Sequence, residues 1–168
     1  MTSARAGDAV DGSIRDFDPA TDREAVIACV AGLQDFERTL DPGLPPGERV
    51  ARRYLEAMQQ RCRAYQGRIL VAERAGRVGG FLCILARVPD GQADEHPPHA
   101  MVGELYLAPE DRGLGLGRRL LEQAEVFARE RGAARLRVQV LAGNGVARGL
   151  YESSGFRDRL VELEKNLT

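Results

Sequence analysis

The chain has 168 residues, 43% of them hydrophobic and 29% charged, which suits one buried core and excludes wholesale disorder. Twenty-four Lys plus Arg against 25 Asp plus Glu leave a net charge of −1, arguing against a dedicated nucleic-acid binder. No apolar run is long enough to cross a bilayer, and the start MTSARAGDAVDGS lacks the apolar stretch of a signal peptide, so a soluble, cytoplasmic protein is expected.

Residues 1–12 are small and polar and read as a flexible tail, with one domain over 13–168. Ser13, Ile14 and Phe17 suggest a first strand, and Asp18 and Thr21 are candidate caps for the helix that follows. That helix runs through Ala25, Val26, Cys29, Val30 and Leu33, at spacings of three and four. The segment Asp41-Pro-Gly-Leu-Pro-Pro-Gly47 breaks it, and a second amphipathic helix runs to about Tyr65. Ile69–Ala72 and Val78–Val88, around Ala75-Gly76, form a predicted hairpin. A polar loop over 89–99 precedes a fourth strand, Ala100–Leu107. After a glycine-rich turn, Leu116, Leu120, Leu121, Ala124, Phe127 and Ala128 make an apolar helical stripe that Gly132 closes. A fifth strand is predicted over Arg135–Leu141, a short helix over Asn144–Ser153 stopped by Gly155, and a last strand over Arg157–Glu164. This order predicts an α/β domain built around one mixed sheet.

Cys29, Cys62 and Cys83 are far apart and odd in number, without a Cys-x-x-Cys pair, so they read as small buried apolar residues. His96-Pro-Pro-His99 invites a metal reading, but prolines forbid helical presentation and no third ligand is evident, so no metal is expected. Only Lys165 among the 24 basic residues is a lysine, a compositional bias without functional meaning.

The informative window is Leu105 to Leu121, in which a strand feeds a glycine-rich turn and the turn feeds a helix. Gly113, Gly115 and Gly117 remove Cβ atoms and let backbone N–H groups converge at a helix N-terminus, an arrangement suited to a pyrophosphate. Arg112 and Arg118 are candidate charges at its rim. Taken alone, such glycines equally describe a tight turn. A P-loop is excluded because Arg118-Arg119, not Lys-Ser/Thr, follow the last glycine. A dinucleotide fingerprint is disfavoured because the turn comes after four strands instead of opening a doubly wound unit.

A second window, Asn144 to Phe156, changes the balance. Together the two windows resemble the GNAT acetyltransferase superfamily. The first fits its Arg/Gln-x-x-Gly-x-Gly/Ala signature as Arg112-Gly113-Leu114-Gly115-Leu116-Gly117. The second fits Asn-x-x-Ala-x-x-x-Tyr-x-x-x-Gly-Phe as Asn144, Ala147, Tyr151, Gly155 and Phe156. The resemblance is specific from about residue 100 onward; upstream, only the element order and the hairpin around Ala75-Gly76 agree.

What the resemblance implies is a single-domain fold with a twisted, mixed but mostly antiparallel central sheet and helices on both faces. It also implies direct acetyl transfer from acetyl-CoA to a primary amine of a small molecule or peptide, without an acyl-enzyme. The Arg112–Gly117 turn would bind the coenzyme's pyrophosphate through backbone N–H groups. Leu105, Tyr106 and Leu107 would hold pantetheine and the thioester carbonyl through free main-chain groups, as a strand edge holds another strand. Tyr151 would protonate the departing thiolate or hydrogen-bond its sulfur, with Ala147 alongside; outside the motif it would read as a core aromatic. Asn144 would cap its helix and add a polar contact near the coenzyme.

Glu104, on the strand beside the thioester, is the candidate general base, or else a strand glutamate facing solvent. In the histone-modifying branch the base lies nearer the start of this strand, where this chain has Met101. Asp35, Glu37, Asp41, Asp90, Asp94 and Glu95 are either an attraction for a cationic amine or solvated loops. The partners expected are an amine substrate and, as is common among similar proteins, a second copy in a homodimer. An alcohol acceptor, a longer acyl-CoA, or a non-catalytic acyl-CoA-binding sensor keeping the fold are the alternatives.

Overall fold

A computed structural model describes residues 12–90, 97–165 and 167, so the expected tail before Gly12 and the middle of the polar loop lie outside it. The chain runs β1 (Ser13–Asp16), α1 (Arg23–Arg38), α2 (Gly47–Ala64), β2 (Arg68–Arg74), β3 (Arg77–Val88) and β4 (His99–Leu107). A single 3-10 turn over Pro109–Asp111 leads to α3 (Leu116–Glu130), β5 (Leu136–Val138) and α4 (Gly145–Ser153). The five strands lie side by side in chain order, the first three pairings antiparallel and β4–β5 parallel.

Strand period two explains why β2 and β3 are apolar almost throughout. Leu70, Ala72, Leu82, Ile84 and Ala86 point to one face, against Leu120, Leu121, Ala124 and Phe127 of α3. Ile69, Val71, Phe81, Cys83 and Leu85 point to the other, against Val26 and Val30 of α1 and Leu55 and Met58 of α2. Both faces are therefore cores. Each fully buried Leu, Phe or Met contributes about 1.5–3 kcal/mol of transfer free energy. Among the described residues no helix is long and apolar enough to cross a membrane.

Two expectations change. Only Leu136–Val138 of the predicted fifth strand pair, opposite Ala100–Val102. The strand expected over Arg157–Glu164 is not formed: residues 157–165 carry no regular secondary structure, and Leu160, Val161 and Leu163 are exposed. The sheet ends there in a three-residue β5, which offers a further strand too short a ladder to extend.

The start of α1 shows which sequence signal won. Asp22, not Asp18 or Thr21, holds the N-cap position, yet its carboxylate makes no cap bond to the helix. Instead it accepts from Arg15 at 2.6 and 3.0 Å and from the Asp18 N–H at 2.8 Å. Arg15 also donates to Glu73 at 2.7 and 2.9 Å, so one guanidinium joins β1, β2 and the entry to α1. A charge-assisted pair with two donor nitrogens outcompetes a neutral cap. Arg15 holds the Asp22 carboxyl down to about 2 despite its burial. Because the folded pKa is depressed, this stability is present above the ordinary carboxylate pKa and is lost as pH falls through about 2. Asp22→Asn is expected to cost about 1–2 kcal/mol at pH 7. In urea denaturation run as a pH series, its deficit against the wild type should shrink as the pH approaches 2.

Candidate active site

The site begins where two strands part. β4 pairs with β3 as far as Leu107, but with β5 only at Ala100, Met101 and Val102. From Gly103 to Leu107 one side of β4 therefore has no strand neighbour among the described residues. Amide-rich ligands can bind such an edge as another strand would. Leu105 and Leu107 pack on the α3–α4 side, while Glu104 is cross-strand to Cys83 and Tyr106 packs with the α1–α2 core.

At the end of β4 the backbone is pinned by Asp111. This buried carboxylate accepts from Arg74 at 2.8 Å and Arg77 at 2.6 Å; burial opposes its charge, but the two arginines win and keep its pKa low. Gly113 and Gly115 then adopt φ of 73° and 78°, left-handed values that only glycine takes without strain. Gly115 is the N-cap of α3, with no side chain capping it and no acidic residue in the first turn. The Leu116, Gly117 and Arg118 N–H groups thus have no acceptor among the described residues, and they face the positive end of the helix dipole.

The turn's neighbours also have structural parts. Arg112 donates to the Leu107 carbonyl at 2.9 Å and stacks over Phe36 and Tyr106, at 5.7 and 5.6 Å from their centroids, fastening the turn to β4 and α1. Arg118 lies toward α4, 3.4 Å from Ser153 Oγ. A Cβ on Gly117 would sit 3.1 Å from Leu150 Cδ2, so this glycine also sets how closely α3 approaches α4. Leu114 occupies the tip and is 40% exposed.

Across the notch, Asn144 Oδ1 accepts from the Ala147 N–H at 3.0 Å and caps α4, a bond worth about 1 kcal/mol. Two turns of helix later, Tyr151 is 7% exposed and its ring lies 5.6 Å from that of Phe156. Its hydroxyl has no hydrogen-bond partner among the described residues. Burial, and secondarily the charge of Glu37, push its pKa up to about 12. The phenol is therefore a proton donor at neutral pH.

The carboxylates divide sharply. Glu104 is buried, and its Oε1 takes the Tyr54 hydroxyl at 3.0 Å together with an ion pair to Arg61. Its Oε2 is buried without a partner. Solvent exposure, one of the two sequence readings, is thus ruled out. Glu37, in the last turn of α1, is held above the usual carboxylate range by burial and then by the negative charge of Glu104. It is also a source of the shifts at Tyr54 and Tyr151, so it faces the same space.

The other acidic candidates are employed elsewhere. Asp35 accepts from the Gly47 N–H at 2.7 Å, at the start of α2, and Asp41 accepts from Gly43 within its own turn. Asp90 is clamped by Arg137 and Arg135, beside His99 at the start of β4. Asp94, Glu95 and His96 lie outside the described residues, and among those described no group of three metal-ligating side chains is brought together. Sequence reasoning missed Arg61 and Tyr54. They lie seven residues apart on α2, two helical turns, and only the packing of α2 on β4 brings them to Glu104.

Comparison with known proteins falls on the same elements. Residues 26–156 match the Acetyltransferase (GNAT) family. The chain is 33% identical over 153 residues to a mycothiol acetyltransferase of Thermobispora bispora, covering 89% of this chain and 48% of that protein. It is 35% identical over 91 residues to the 5-NmdU N-acetyltransferase of Pseudomonas phage PaMx11, covering 54% of this chain and 58% of the relative. The chain thus spans about half the length of these curated relatives. A predicted acetyltransferase from Clostridium acetobutylicum, solved with acetyl-CoA, superposes with a TM-score of 0.67 over 93% of this chain and 96% of its own, at 18% identity. The matched stretch contains the parted strands, the glycine turn and the Tyr151 helix, and on that ground this chain belongs to the acetyltransferase (GNAT) family.

Proposed function

We propose that this protein acetylates a primary amine of a small molecule or peptide, using acetyl-CoA and no acyl-enzyme. The observation that carries the reading is Tyr151, a buried ring whose hydroxyl makes no hydrogen bond to the described residues, beside the β4 edge that has no strand neighbour among them. The residues present fit the coenzyme: uncapped N–H groups at Leu116–Arg118 suit a diphosphate, and the β4 edge over Leu105–Leu107, where Arg112 holds the Leu107 carbonyl, suits an amide-rich arm. Acetyl-CoA supplies the activated acetyl thioester.

The chain's own groups do the rest. A β4 main-chain N–H donates to the thioester oxygen as negative charge grows there, worth on the order of 3 kcal/mol. Glu104 Oε2, buried and unpaired, accepts a hydrogen bond from the amine, while Arg61 and Tyr54 hold the carboxylate still. Glu37 takes the ammonium proton, a role suited to a carboxylate that burial, and then the charge of Glu104, raise above its ordinary pKa. Tyr151 gives its proton to the departing sulfur. The N-acetyltransferase name of the phage relative supports nitrogen as the acceptor atom, and the acetyl-CoA-bound structural neighbour supports the donor.

Three outcomes test this. Leu114→Glu places an anion at the exposed tip of the turn, away from the packing at Gly117, and should weaken acetyl-CoA binding about tenfold in calorimetry with an unchanged Tm. Tyr151→Phe keeps the ring packing and should lower kcat about a hundredfold with little change in coenzyme Kd, measured as thiol release across a panel of amines. For Glu37, ionised only above its raised pKa, kcat/KM of the wild type should fall as pH drops through that range. Glu37→Gln should lower the plateau and remove that acid limb. Coenzyme binding without turnover on any amine would instead identify an acyl-CoA sensor.

A further inference from the structure

A cleft of about 470 Å³ opens at the end of the sheet away from the glycine turn, between the C-terminal turns of α2 and α3 and the β1–β2 edge. Cys62, Arg63, Arg68, Arg131, Asp16 and Phe127 are on its walls. The guanidinium groups of Arg68 and Arg131 lie 4.5 and 4.8 Å from the Phe127 ring centroid. Arg68 pairs with Asp16 at 3.4 Å and keeps a buried Nε without a partner. No carboxylate among the described residues pairs with Arg63 or Arg131. Three cations face one anion, so the cleft is a positive pocket with Cys62 in its wall.

Behind that wall, Cys62 Sγ lies 3.6 Å from Cys83 Sγ, van der Waals contact between sulfurs on α2 and β3. Cys83 is wholly buried and Cys62 is half-buried. We propose that Cys62 and Cys83 form a redox-reactive dithiol, and that Cys62 meets in this cleft a low-molecular-weight disulfide bearing carboxylates. The sulfur–sulfur contact favours the Cys62 thiolate against burial and the charge of Glu104, with Arg61 and Arg63 in support, and pushes Cys83 the other way. Cys29 has neither feature: it is buried in the α1 core with its thiol pushed up to about 11, chiefly by burial.

In the first step the Cys62 thiolate attacks one sulfur of the disulfide, the S–S bond breaks, and one small thiol leaves as thiolate and takes a proton. In the second, Cys83 attacks Cys62 Sγ, the mixed disulfide breaks, and the second small thiol leaves with the proton from Cys83. The protein dithiol loses two electrons and two hydrogens, and the disulfide becomes two thiols. The bond formed would staple α2 to β3 next to Arg61, whose partner Glu104 lies cross-strand to Cys83.

The test is covalent and needs no acetyl transfer, so its failure is separate from failure of the proposed activity. The full chain is incubated with oxidised glutathione or with cystamine, its cationic counterpart, and followed by intact mass and peptide mapping. Oxidised glutathione should remove two hydrogens and give a Cys62–Cys83 cross-linked peptide, reversed by dithiothreitol. Cys83→Ala should stop at one glutathionyl group on Cys62, Cys62→Ser should give neither product, and Cys29→Ser should behave as wild type. At low salt the anionic reagent should react about tenfold faster than cystamine, and Arg63→Gln with Arg131→Gln should level the two rates. A wild-type map without the cross-link, modification of Cys29 in preference to Cys62, or equal rates for the two reagents overturns the proposal.

Discussion

The candidate acetyl-transfer site depends on β4 and β5 staying together for three residues and no more. Parallel pairing at Ala100–Val102 fixes the two strands in one sheet, and their separation beyond Val102 exposes β4 main chain inside a protein whose other central strands are fully paired. Unpaired backbone groups are costly when buried, so such an opening persists only where solvent or a ligand completes it. The α3 N-terminus stands at one end of that opening and Tyr151 at its side, each with polar hydrogens that nothing in the described chain accepts.

Arginine organises the charge around this opening. One guanidinium joins Asp22 and Glu73 at the entry to α1, two hold Asp111 beneath the glycine turn, and two clamp Asp90 at the start of the parallel pair. Planar guanidinium groups with five donors satisfy buried carboxylates in ways an ammonium cannot, which suits a chain with a single lysine. Glu37, raised by burial, and Glu104, one oxygen of which has no partner among the described residues, stand apart from these clamps.

The sheet itself separates two chemistries. Its α3–α4 face carries the aromatic pair Tyr151 and Phe156, with Phe127 farther along α3, among aliphatic side chains. Its α1–α2 face holds all three cysteines, together with Glu104, Arg61 and Tyr54. Cys83 and Glu104 are cross-strand partners, so a change at the thiols lies one residue pair away from the acceptor carboxylate.

Local signals were enough for most of the elements, for the glycine turn and for the cap of α4. Apolar periodicity marks both long helices and the buried strands; glycines at 113 and 115 mark a turn that needs positive φ; Asn144 marks the start of α4. All are contacts or conformations within a few residues of chain, where residue type decides the outcome. What the sequence could not determine involves partners distant in chain. Asp22 prefers Arg15 and Glu73's cluster to capping its helix, Glu104 is buried by Arg61 and Tyr54, and Cys62 meets Cys83 across 21 residues. The last predicted strand failed for the same reason: its alternation was legible, but a strand exists only where an edge of adequate length is there to pair with it, and the packing left β5 three residues long.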